Sequence, residues 1–183
     1  MLQQTQVSRV VDFYDRFLDR FPTLETLAHA PRKKVMESWE GLGYYARARN
    51  LHALAKQVSN GPSAESSSGA GTLPSEPVAL RKLPGIGPYT AGAVSSFAFE
   101  RRAALVDTNV ARVIVRVFAP RLNPKRARDV KKIWAIAESL LPRTGKAGWT
   151  HNQAIMELGA LICTARIKRC GECPVRAVCL SRE

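Results

Sequence analysis

The sequence predicts an all-α protein, and three features of the chain lead to that fold class. Apolar residues recur at helical spacing in most segments, and no segment alternates apolar and polar residues as a half-buried strand would. Gly- and Pro-rich stretches separate the helical segments, as expected where one helix ends and the next begins. The pattern is clearest in "TNVARVIVRVF", where the inward-facing residues are Val110, Val113, Ile114 and Val117.

Four helices are predicted in the N-terminal third of the chain. One apolar face of the first comprises Val7, Val10, Val11, Tyr14, Phe17, Leu18 and Phe21. Short helices follow over "LETLAHA" and over "PRKKVMESWEGLG", which begins at Pro31 and ends at Gly41 and Gly43. The fourth, "YYARARNLHALAKQV", directs its arginines outward, and its inward residues are Leu51, Leu54, Ala55 and Val58.

A second group of helices follows a long connection. "SNGPSAESSSGAGTLPSEP" is rich in Gly, Ser and Pro and lacks periodicity, so we expect a flexible surface connection without a chemical role. Helices resume at 78–82, restart at Pro88 and continue through "TNVARVIVRVF", "KRARDVKKIWAIAESLL" and "WTHNQAIMELGALIC". The chain therefore contains about ten predicted helices.

The chain is strongly basic. Its 183 residues include 28 Lys and Arg against 15 Asp and Glu, which gives a net charge of +13 and a pI near 10.2. Such a balance favours a nucleic acid as partner, because each neutralised phosphate releases condensed counterions. A genomic preference for Arg codons could account for part of the excess. No apolar run approaches the ~20 residues of a membrane span, so no membrane partner is expected.

The four cysteines form one C-terminal group with the spacing C-x6-C-x2-C-x5-C: Cys163, Cys170, Cys173 and Cys179. Their confinement to so short a loop favours a reduced compartment and metal ligation over disulfide bonds. Four thiolates at this spacing can hold zinc or an iron–sulfur cluster, and the spacing alone does not choose between them. Because Arg166, Lys168 and Arg169 lie in the same loop, the metal is expected to brace a basic surface.

The segment "LPGIGPYTAGAV" is predicted to form a helix–hairpin–helix motif. No strand precedes it and its third glycine is misplaced for a dinucleotide fingerprint, so that alternative is rejected. Gly85 and Gly87 permit a tight turn, and Pro88 starts the second helix, which gives a backbone anion site. Such a site binds a DNA phosphate without reading sequence. An ordinary connection between helices is the competing interpretation.

The segment "LVDTNV" supplies a candidate catalytic carboxylate. Asp107 stands where an apolar stretch ends and a helix begins, and Asn109 follows two residues later. Asp is also a favoured N-cap residue, so a purely structural role is the alternative.

Together these segments resemble the endonuclease III superfamily of helix–hairpin–helix DNA glycosylases, and most closely its MutY-type adenine DNA glycosylases. "MLQQTQV", "GLGYYARARNL", "LPGIGPYTAGAV", "VDTNV", "NQAIMELGALIC" and the cysteine loop occur in the family's order and cover essentially the whole chain. The resemblance implies a [4Fe–4S] cluster on the four cysteines and two helical lobes with DNA bound across the cleft. The expected lobes are about 5–118, with the hairpin at 78–98, and 119–183, with the cluster loop at 163–179.

The resemblance also assigns roles to single residues. Asp107 would stabilise the oxocarbenium-like sugar while Asn109 orients the site. Tyr89 stands where strand-cutting members carry a Schiff-base lysine, so a monofunctional glycosylase is expected. The implied DNA contacts are Gln3, Gln4, Thr5, Tyr44, Arg47, Leu83, Gly85, Gly87 and Thr90. Tyr44 as a core residue, and the two glutamines as solvent-facing helix residues, are the alternatives.

The resemblance predicts base excision repair of double-stranded DNA, with removal of adenine opposite 8-oxoguanine or guanine after base flipping. The family places its general-acid glutamate two residues before the methionine of "MLQQT", which is Met1 here. We therefore expect the 183-residue chain to excise adenine weakly or not at all. A thymine or other mismatch glycosylase and a non-catalytic iron–sulfur DNA-binding module remain alternatives. We also expect a cytoplasmic monomer, associated with the nucleoid if the source is bacterial.

Overall fold

The computed structural model describes residues 1–2, 5–60 and 72–183, and these residues form an all-α protein. Gln3, Gln4 and residues 61–71, which include most of the predicted flexible connection, lie outside the described part of the chain. Within it there is no strand, only an isolated antiparallel bridge between Cys163 and Lys168. No helix in the described ranges has the length and apolar character needed to cross a bilayer.

The described residues contain nine α-helices: α1 Val7–Arg20, α2 Leu24–His29, α3 Arg32–Glu37, α4 Ala46–Asn60, α5 Pro77–Leu80, α6 Pro88–Phe99, α7 Thr108–Phe118, α8 Ala127–Leu140 and α9 Gly145–Glu157. A π-helical turn, Leu158–Ile162, continues α9, and two 3₁₀ turns follow at Cys170–Glu172 and Arg176–Val178. The predicted helices are confirmed. The third is shorter than expected, because it ends at Glu37 rather than at the glycines.

The chain divides into two compact units. Unit 1 is Met1–Pro74 with Ala79–Ile86, and unit 2 is Ser75–Val78 with Gly87–Glu183. The division falls inside the hairpin segment, whereas the resemblance implied a lobe boundary near residue 118. The physical reason is that α7 packs against α8, α9 and the π-helical turn, which places it with the C-terminal half of the chain.

Unit 1 is built around an aromatic core. Phe17 of α1 contacts Trp39 edge to face with ring centroids 5.8 Å apart, and it stacks at a tilt on Phe21 at 5.0 Å. Val35 and Trp39 are almost completely buried. The helix α4 packs against α2 and α3 and contributes Ala48 to the same core.

The predicted buried face of α1 is only partly buried. Val10, Phe17 and Phe21 are buried as expected. The other four residues of the predicted face are exposed: Val7, Val11, Tyr14 and Leu18. Helical periodicity shows which side chains share a side of the helix, but the surrounding elements decide how wide a strip they cover.

Unit 2 is built around α7. All four residues predicted to line its apolar face are buried, and two of them, Val110 and Ile114, pack with Leu105, Ile133 and Ala137. Asn152 of α9 is a buried polar anchor, because its Nδ2 donates to Ser96 Oγ at 2.9 Å and to the Ala103 carbonyl at 2.9 Å. The first hydrogen bond fixes α9 against α6, and the second fixes it against the segment that leads into α7.

A buried histidine makes the stability of unit 1 depend on pH. His52 of α4 is 5% exposed, and its Nε2 has no hydrogen-bond partner among the described residues. Burial, reinforced by the positive charge of Lys56, lowers the pKa of His52 below its ordinary value of 6.5. Because the unfolded chain then binds the proton more readily, this residue's contribution to stability is complete above the unfolded pKa and is lost as the pH falls below it.

Replacing His52 with Gln is expected to make the free energy of unfolding less dependent on pH between about pH 7 and pH 5. Urea denaturation at several pH values measures the slope. The exposed His29 provides the matched control, and His29→Gln should leave the slope as it is in the unaltered protein. Burial also lowers the pKa of His151, so a smaller slope of the same sign should remain. Equal slopes for His52→Gln and the unaltered protein would contradict this assignment.

Candidate active site and metal centre

The carboxylate of Asp107 begins α7. Its Oδ1 accepts a hydrogen bond from the Val110 amide at 2.7 Å, which is N-cap geometry, and its Oδ2 accepts from Asn109 Nδ2 at 3.2 Å. The capping role of Asp107 is thus observed, and its second oxygen is oriented by Asn109, while the catalytic role stays a prediction. A carboxylate held in this way is a fixed negative charge at the surface of unit 2.

Tyr89, on the first turn of α6, shares this environment. Burial and the nearby Asp107 carboxylate raise the pKa of Tyr89 above its ordinary value of 10.0. The phenol is therefore protonated at neutral pH and presents a hydroxyl group as a hydrogen-bond donor or acceptor. The structure brings together the three residues that the sequence nominated as catalytic.

Arg112 connects Asn109 to the segment that follows α9, and sequence reasoning missed it. Its Nη2 donates to Asn109 Oδ1 at 2.8 Å and to the Gly159 carbonyl at 2.6 Å. Its Nε donates to the Cys163 carbonyl at 2.8 Å. A partly buried guanidinium with several carbonyl acceptors holds a planar, rigid geometry, so Arg112 fixes the side chain that in turn orients Asp107.

Gly159, in the π-helical turn, allows this arrangement to form. A Cβ atom at this position would lie 2.8 Å from the Asn109 Cβ and 3.0 Å from its carbonyl oxygen. Any larger residue would therefore push the turn away from α7. Cys163 follows the turn directly, and its amide donates to the Leu158 carbonyl at 2.7 Å. The close approach of the turn to α7 therefore also positions the first cysteine.

The four cysteines converge on one pocket in unit 2. All four cysteine side chains line it together with Arg116, Lys168 and Arg169. The 3₁₀ turn Cys170–Glu172 and a hydrogen bond from the Leu180 amide to the Val117 carbonyl, 3.0 Å long, fold the loop around it. The sequence predicted the thiol set, and the structure adds that the loop folds these thiols around one space.

Arg116 of α7 ties the helix to the cysteine loop. Its Nη1 donates to the Cys163 sulfur at 3.3 Å and to the Thr164 carbonyl at 2.7 Å. Because Arg112 and Arg116 are four residues apart, they lie on the same side of α7. That spacing is the sequence signal that could have identified both arginines.

The donor set and the pocket fit an iron–sulfur cluster. Each iron of a four-iron cluster takes one cysteine thiolate, so the four sulfurs surround a space rather than meeting at a point. The guanidinium of Arg116 adds a charge-assisted hydrogen bond to one of them. Among the described residues, no group of three or more His, Cys, Asp or Glu side chains is arranged to hold a metal ion, so the cluster stays a prediction from the family resemblance.

The hairpin residues form a tight turn before α6. Gly85 has a φ of +77°, and a Cβ there would lie 2.6 Å from the Asn50 Cβ, so only glycine fits. Gly87 is the N-cap of α6 and Pro88 its first residue, and the start of the helix at Pro88 is as predicted. Gly87 is exposed, and Thr90 is partly buried in the first turn. The side chain of Leu83 is buried, which leaves its backbone as the group available to a ligand.

Tyr44 lies on a separate surface, in unit 1. It has a φ of +48° and its side chain is 62% exposed, so the core interpretation is not supported. The Arg47 guanidinium stacks 5.4 Å from the Tyr44 ring and 5.5 Å from the Trp39 ring. Tyr44 is a non-glycine residue in the left-handed region, and its own aromatic ring is exposed. Such a combination is typical of a functional turn. Thr5 is partly buried and follows the two glutamines that the structure does not describe.

Arg47 was expected to point outward with the other arginines of α4, and the structure corrects this. Its Nη2 donates to the carbonyls of Leu42 at 3.3 Å and Gly43 at 3.2 Å, and its Nη1 donates to the carbonyl of Met1. The guanidinium is turned inward toward these three carbonyls, and it shares the Gly43 carbonyl with the indole N–H of Trp39. Arg47 thus holds the turn that presents Tyr44.

Comparison with known proteins places the chain among DNA repair enzymes. Residues 1–138 match the HhH-GPD superfamily of base excision DNA repair proteins. An adenine DNA glycosylase of Homo sapiens is 39% identical over 184 residues, which cover 100% of this chain and 32% of the human protein. One from Mycolicibacterium smegmatis is 41% identical over 176 residues, which cover 96% of this chain and 56% of that protein. This chain thus spans from about a third to slightly over half of the length of these curated relatives.

Solved structures show the same fold. A thermostable thymine-DNA glycosylase superimposes with a TM-score of 0.83 at 31% identity, covering 98% of this chain and 79% of that one. An endonuclease III, trapped as a covalent intermediate with DNA, superimposes with a TM-score of 0.78 at 23% identity, covering 98% and 79% of the two chains. The second likeness concerns the fold alone.

Proposed function

Because the chain belongs to the HhH-GPD superfamily of base excision DNA repair proteins, we propose that it is the catalytic core of a monofunctional adenine DNA glycosylase. The observation that carries the proposal is the pairing of Asp107 with Asn109 at the start of α7, beside the protonated Tyr89. The substrate proposed is duplex DNA in which adenine lies opposite 8-oxoguanine or guanine. The reaction is hydrolysis of the bond between the adenine and its deoxyribose.

Asp107 supplies the negative charge that this reaction requires. As the base departs, positive charge develops on the sugar ring, and a carboxylate fixed beside that ring stabilises it. Asp107 is suited to this because its two oxygens already accept hydrogen bonds from Val110 and Asn109, so little reorganisation is needed. Arg112 acts as a positioning residue, because it holds Asn109 without pairing with Asp107 itself.

Tyr89 makes the enzyme monofunctional. Strand cleavage through a Schiff base requires an amine nucleophile, and a phenol cannot form an imine. The Tyr89 hydroxyl group retains its proton near Asp107. The side chain therefore lines the pocket for the departing base as a neutral group that can form hydrogen bonds. Water then adds to the sugar carbon from which the adenine departs, and the products are free adenine and an abasic site.

The thiolates of the C-terminal loop are the proposed ligands of a [4Fe–4S] cluster: Cys163, Cys170, Cys173 and Cys179. When bound, the cluster would cross-link the loop and keep its shape. The loop then presents Arg166 and Arg169, both exposed, as cations for DNA phosphates. The exposed N-terminus of α6, at Gly87, adds a backbone site for a phosphate.

Adenine is favoured over thymine as the released base, since several adenine glycosylases align with almost the whole chain at 35–41% identity. The thymine-DNA glycosylase, at 31% identity over most of its own length, supports a mismatched thymine as the second candidate. The two candidates share the Asp107 chemistry. They differ in the base that the pocket accepts, so the substrate assay has to offer both.

The decisive experiment places a carboxylate at the position that the family uses. A chain extended with Met-Glu-Val before Met1 is expected to release adenine from an A:8-oxoguanine duplex about 10²–10⁴-fold faster than the 183-residue chain. An extension with Met-Gln-Val is the matched control and should give no increase. Single-turnover assays with excess protein measure the rates, and G:T duplexes are assayed in parallel.

Each outcome of this experiment is informative. Faster release of thymine from G:T would replace adenine with the second candidate. Binding of an abasic-site analogue without release of any base would indicate a DNA-binding module instead of an enzyme. Equal rates for the extended and unextended chains would overturn the expectation that the glutamate of the extension acts as the general acid.

A further inference from the structure

A non-helical segment of unit 2, residues 100–106, joins α6 to α7 and leads directly into Asp107. We call it the α6–α7 connector. It runs through the interior of the unit, because Ala103 is 4% exposed and Leu105 only 1%. Since the connector ends where Asp107 caps α7, its path decides where that carboxylate lies.

Gly92 of α6 allows the connector to approach the helix closely. A Cβ atom at residue 92 would lie 2.0 Å from the Ala104 carbonyl oxygen and 3.3 Å from the Leu105 Cα. Both of these atoms belong to the backbone, so neither can turn aside as the end of a flexible side chain can. A side chain at residue 92 would therefore displace the connector from α6 by about 1 Å or more.

This close approach lies near both Tyr89 and Asp107 along the chain. Gly92 follows Tyr89 by three residues, so the two share one side of α6. Ala104 precedes Asp107 by three residues, and it packs with Tyr89 against the core cluster that contains Leu105. Burial and the nearby Asp107 charge together raise the pKa of Tyr89. The separation of α6 from the connector at Ala104 thus bears on the separation of these two site residues.

Asn152 of α9 holds the connector at the neighbouring residue. Its Nδ2 donates to the Ala103 carbonyl and to Ser96 Oγ of α6, both at 2.9 Å. Asn152 is 2% exposed, so water competes little for these hydrogen bonds. The adjoining carbonyls of Ala103 and Ala104 are therefore both fixed, one by a hydrogen bond and the other by close packing on α6.

The start of the connector is anchored as well. The Arg101 amide donates to the Ser95 carbonyl of α6 at 3.0 Å. A Cβ at Gly145, the first residue of α9, would lie 1.5 Å from the Glu100 carbonyl oxygen, so α9 also approaches the connector closely. A connector held at its start and in its middle cannot absorb a displacement at Ala104 before it reaches Asp107.

We propose that Gly92 is a positioning residue for base excision, which sets the place of the Asp107 carboxylate relative to Tyr89. It acts through the Ala104 carbonyl and is itself buried, so it contacts neither the sugar nor the base. The inference rests on the glycosylase function proposed above. A misplacement of about 1 Å between reacting groups can cost ~10²-fold in rate, which is the effect expected of a side chain at residue 92.

The variant Gly92→Ala tests this proposal in the chain extended with Met-Glu-Val. Single-turnover release of adenine should fall by ~10²-fold, whereas the dissociation constant for an abasic-analogue duplex should be unchanged. Gly148→Ala is the matched control. Gly148 is also a buried helical glycine of unit 2, but a Cβ there would meet only the Leu141 Cδ2, at 4.0 Å. This control should release adenine at the unaltered rate.

A second variant keeps the proposal testable if Gly92→Ala folds poorly. Asn152→Ala removes both hydrogen bonds that hold the connector and adds no atoms, so the connector is free to shift. It should lower the rate at least about tenfold without weakening DNA binding. Melting curves establish a temperature at which every variant is folded, and all rates are measured there.

Crystal structures of the unaltered and Gly92→Ala proteins give a readout that requires no activity. Superposed on α6, they should show the Asp107 carboxylate about 1 Å farther from the Tyr89 hydroxyl group in the variant. If the unaltered extended chain releases no base, the proposed function fails and this distance alone decides the inference. An unaltered rate in the variants, an equal loss in Gly148→Ala, or an unmoved Asp107 would overturn the proposal. A loss of rate matched by a loss of DNA binding would also overturn it.

Discussion

The Asp107→Asn protein is expected to bind abasic-site DNA normally and to lose base excision by at least about 10²–10³-fold. Asn caps helices about as well as Asp, and its Oδ1 can still accept the Val110 amide. The substitution therefore keeps α7 intact while removing the negative charge that faces the developing cation on the sugar. The measurement is single-turnover release of adenine by the chain extended with Met-Glu-Val, alongside the dissociation constant for an abasic-analogue duplex.

Two further variants separate the effect of the Asp107 charge from an effect on helix stability. Asp129 lies in the first turn of α8 and also accepts a backbone hydrogen bond, from the Asn123 amide at 3.1 Å, so Asp129→Asn is a matched control that should retain full activity. Asp107→Ala removes the cap as well as the charge, and should lower stability by about 0.5–2 kcal/mol in addition to abolishing activity. An Asp107→Asn protein that excises adenine at the unaltered rate would contradict the assigned role.

Replacement of Cys170 with Ser is expected to abolish the cluster and to destabilise unit 2. The unaltered protein, purified without oxygen, should contain iron and acid-labile sulfide and absorb at about 400 nm. The variant should lose both signals. Because metal binding is coupled to folding, the melting temperature should fall by about 5 °C or more, which corresponds to ~2 kcal/mol in a chain of this size.

Ser181 provides the matched control for the cysteine variant. It lines the same pocket as the four thiols, so Ser181→Ala perturbs the pocket without removing a ligand. The iron content and the absorbance should be unchanged. Zinc in place of iron in the anaerobically purified protein would contradict the cluster assignment, and an iron-containing Cys170→Ser protein would show that this thiol is not a ligand.

The predictions that held are those that depend on local spacing. The helical period of "TNVARVIVRVF" correctly identified four of the five buried residues of α7 and missed Ala111, which is buried because α8, α9 and the π-helical turn also pack against this helix. Pro88 and the glycine before it marked the start of α6, since a fixed φ and a small residue are local requirements. Asp107 was recognised as a cap for the same reason.

The predictions that failed depend on distant parts of the chain. The inward turn of Arg47 follows from the carbonyls of Met1, Leu42 and Gly43 that surround it, and spacing within α4 contains no information about them. The sequence analysis missed the network of Arg112 with Asn109 and Gly159 for the same reason. It joins residues up to 51 positions apart, including Cys163, and only a close approach of two elements creates it.

The sequence by itself determined the helices, the capping carboxylate, the four thiols and the basic charge, because each depends on residue type and on neighbours within a few positions. The tertiary structure decided which half of the apolar face of α1 is buried, which arginines turn inward, and that the four thiols line one pocket. The physical reason is that burial and hydrogen bonding are settled by the elements that pack together. Those contacts join residues far apart in the chain, which a periodic pattern cannot specify.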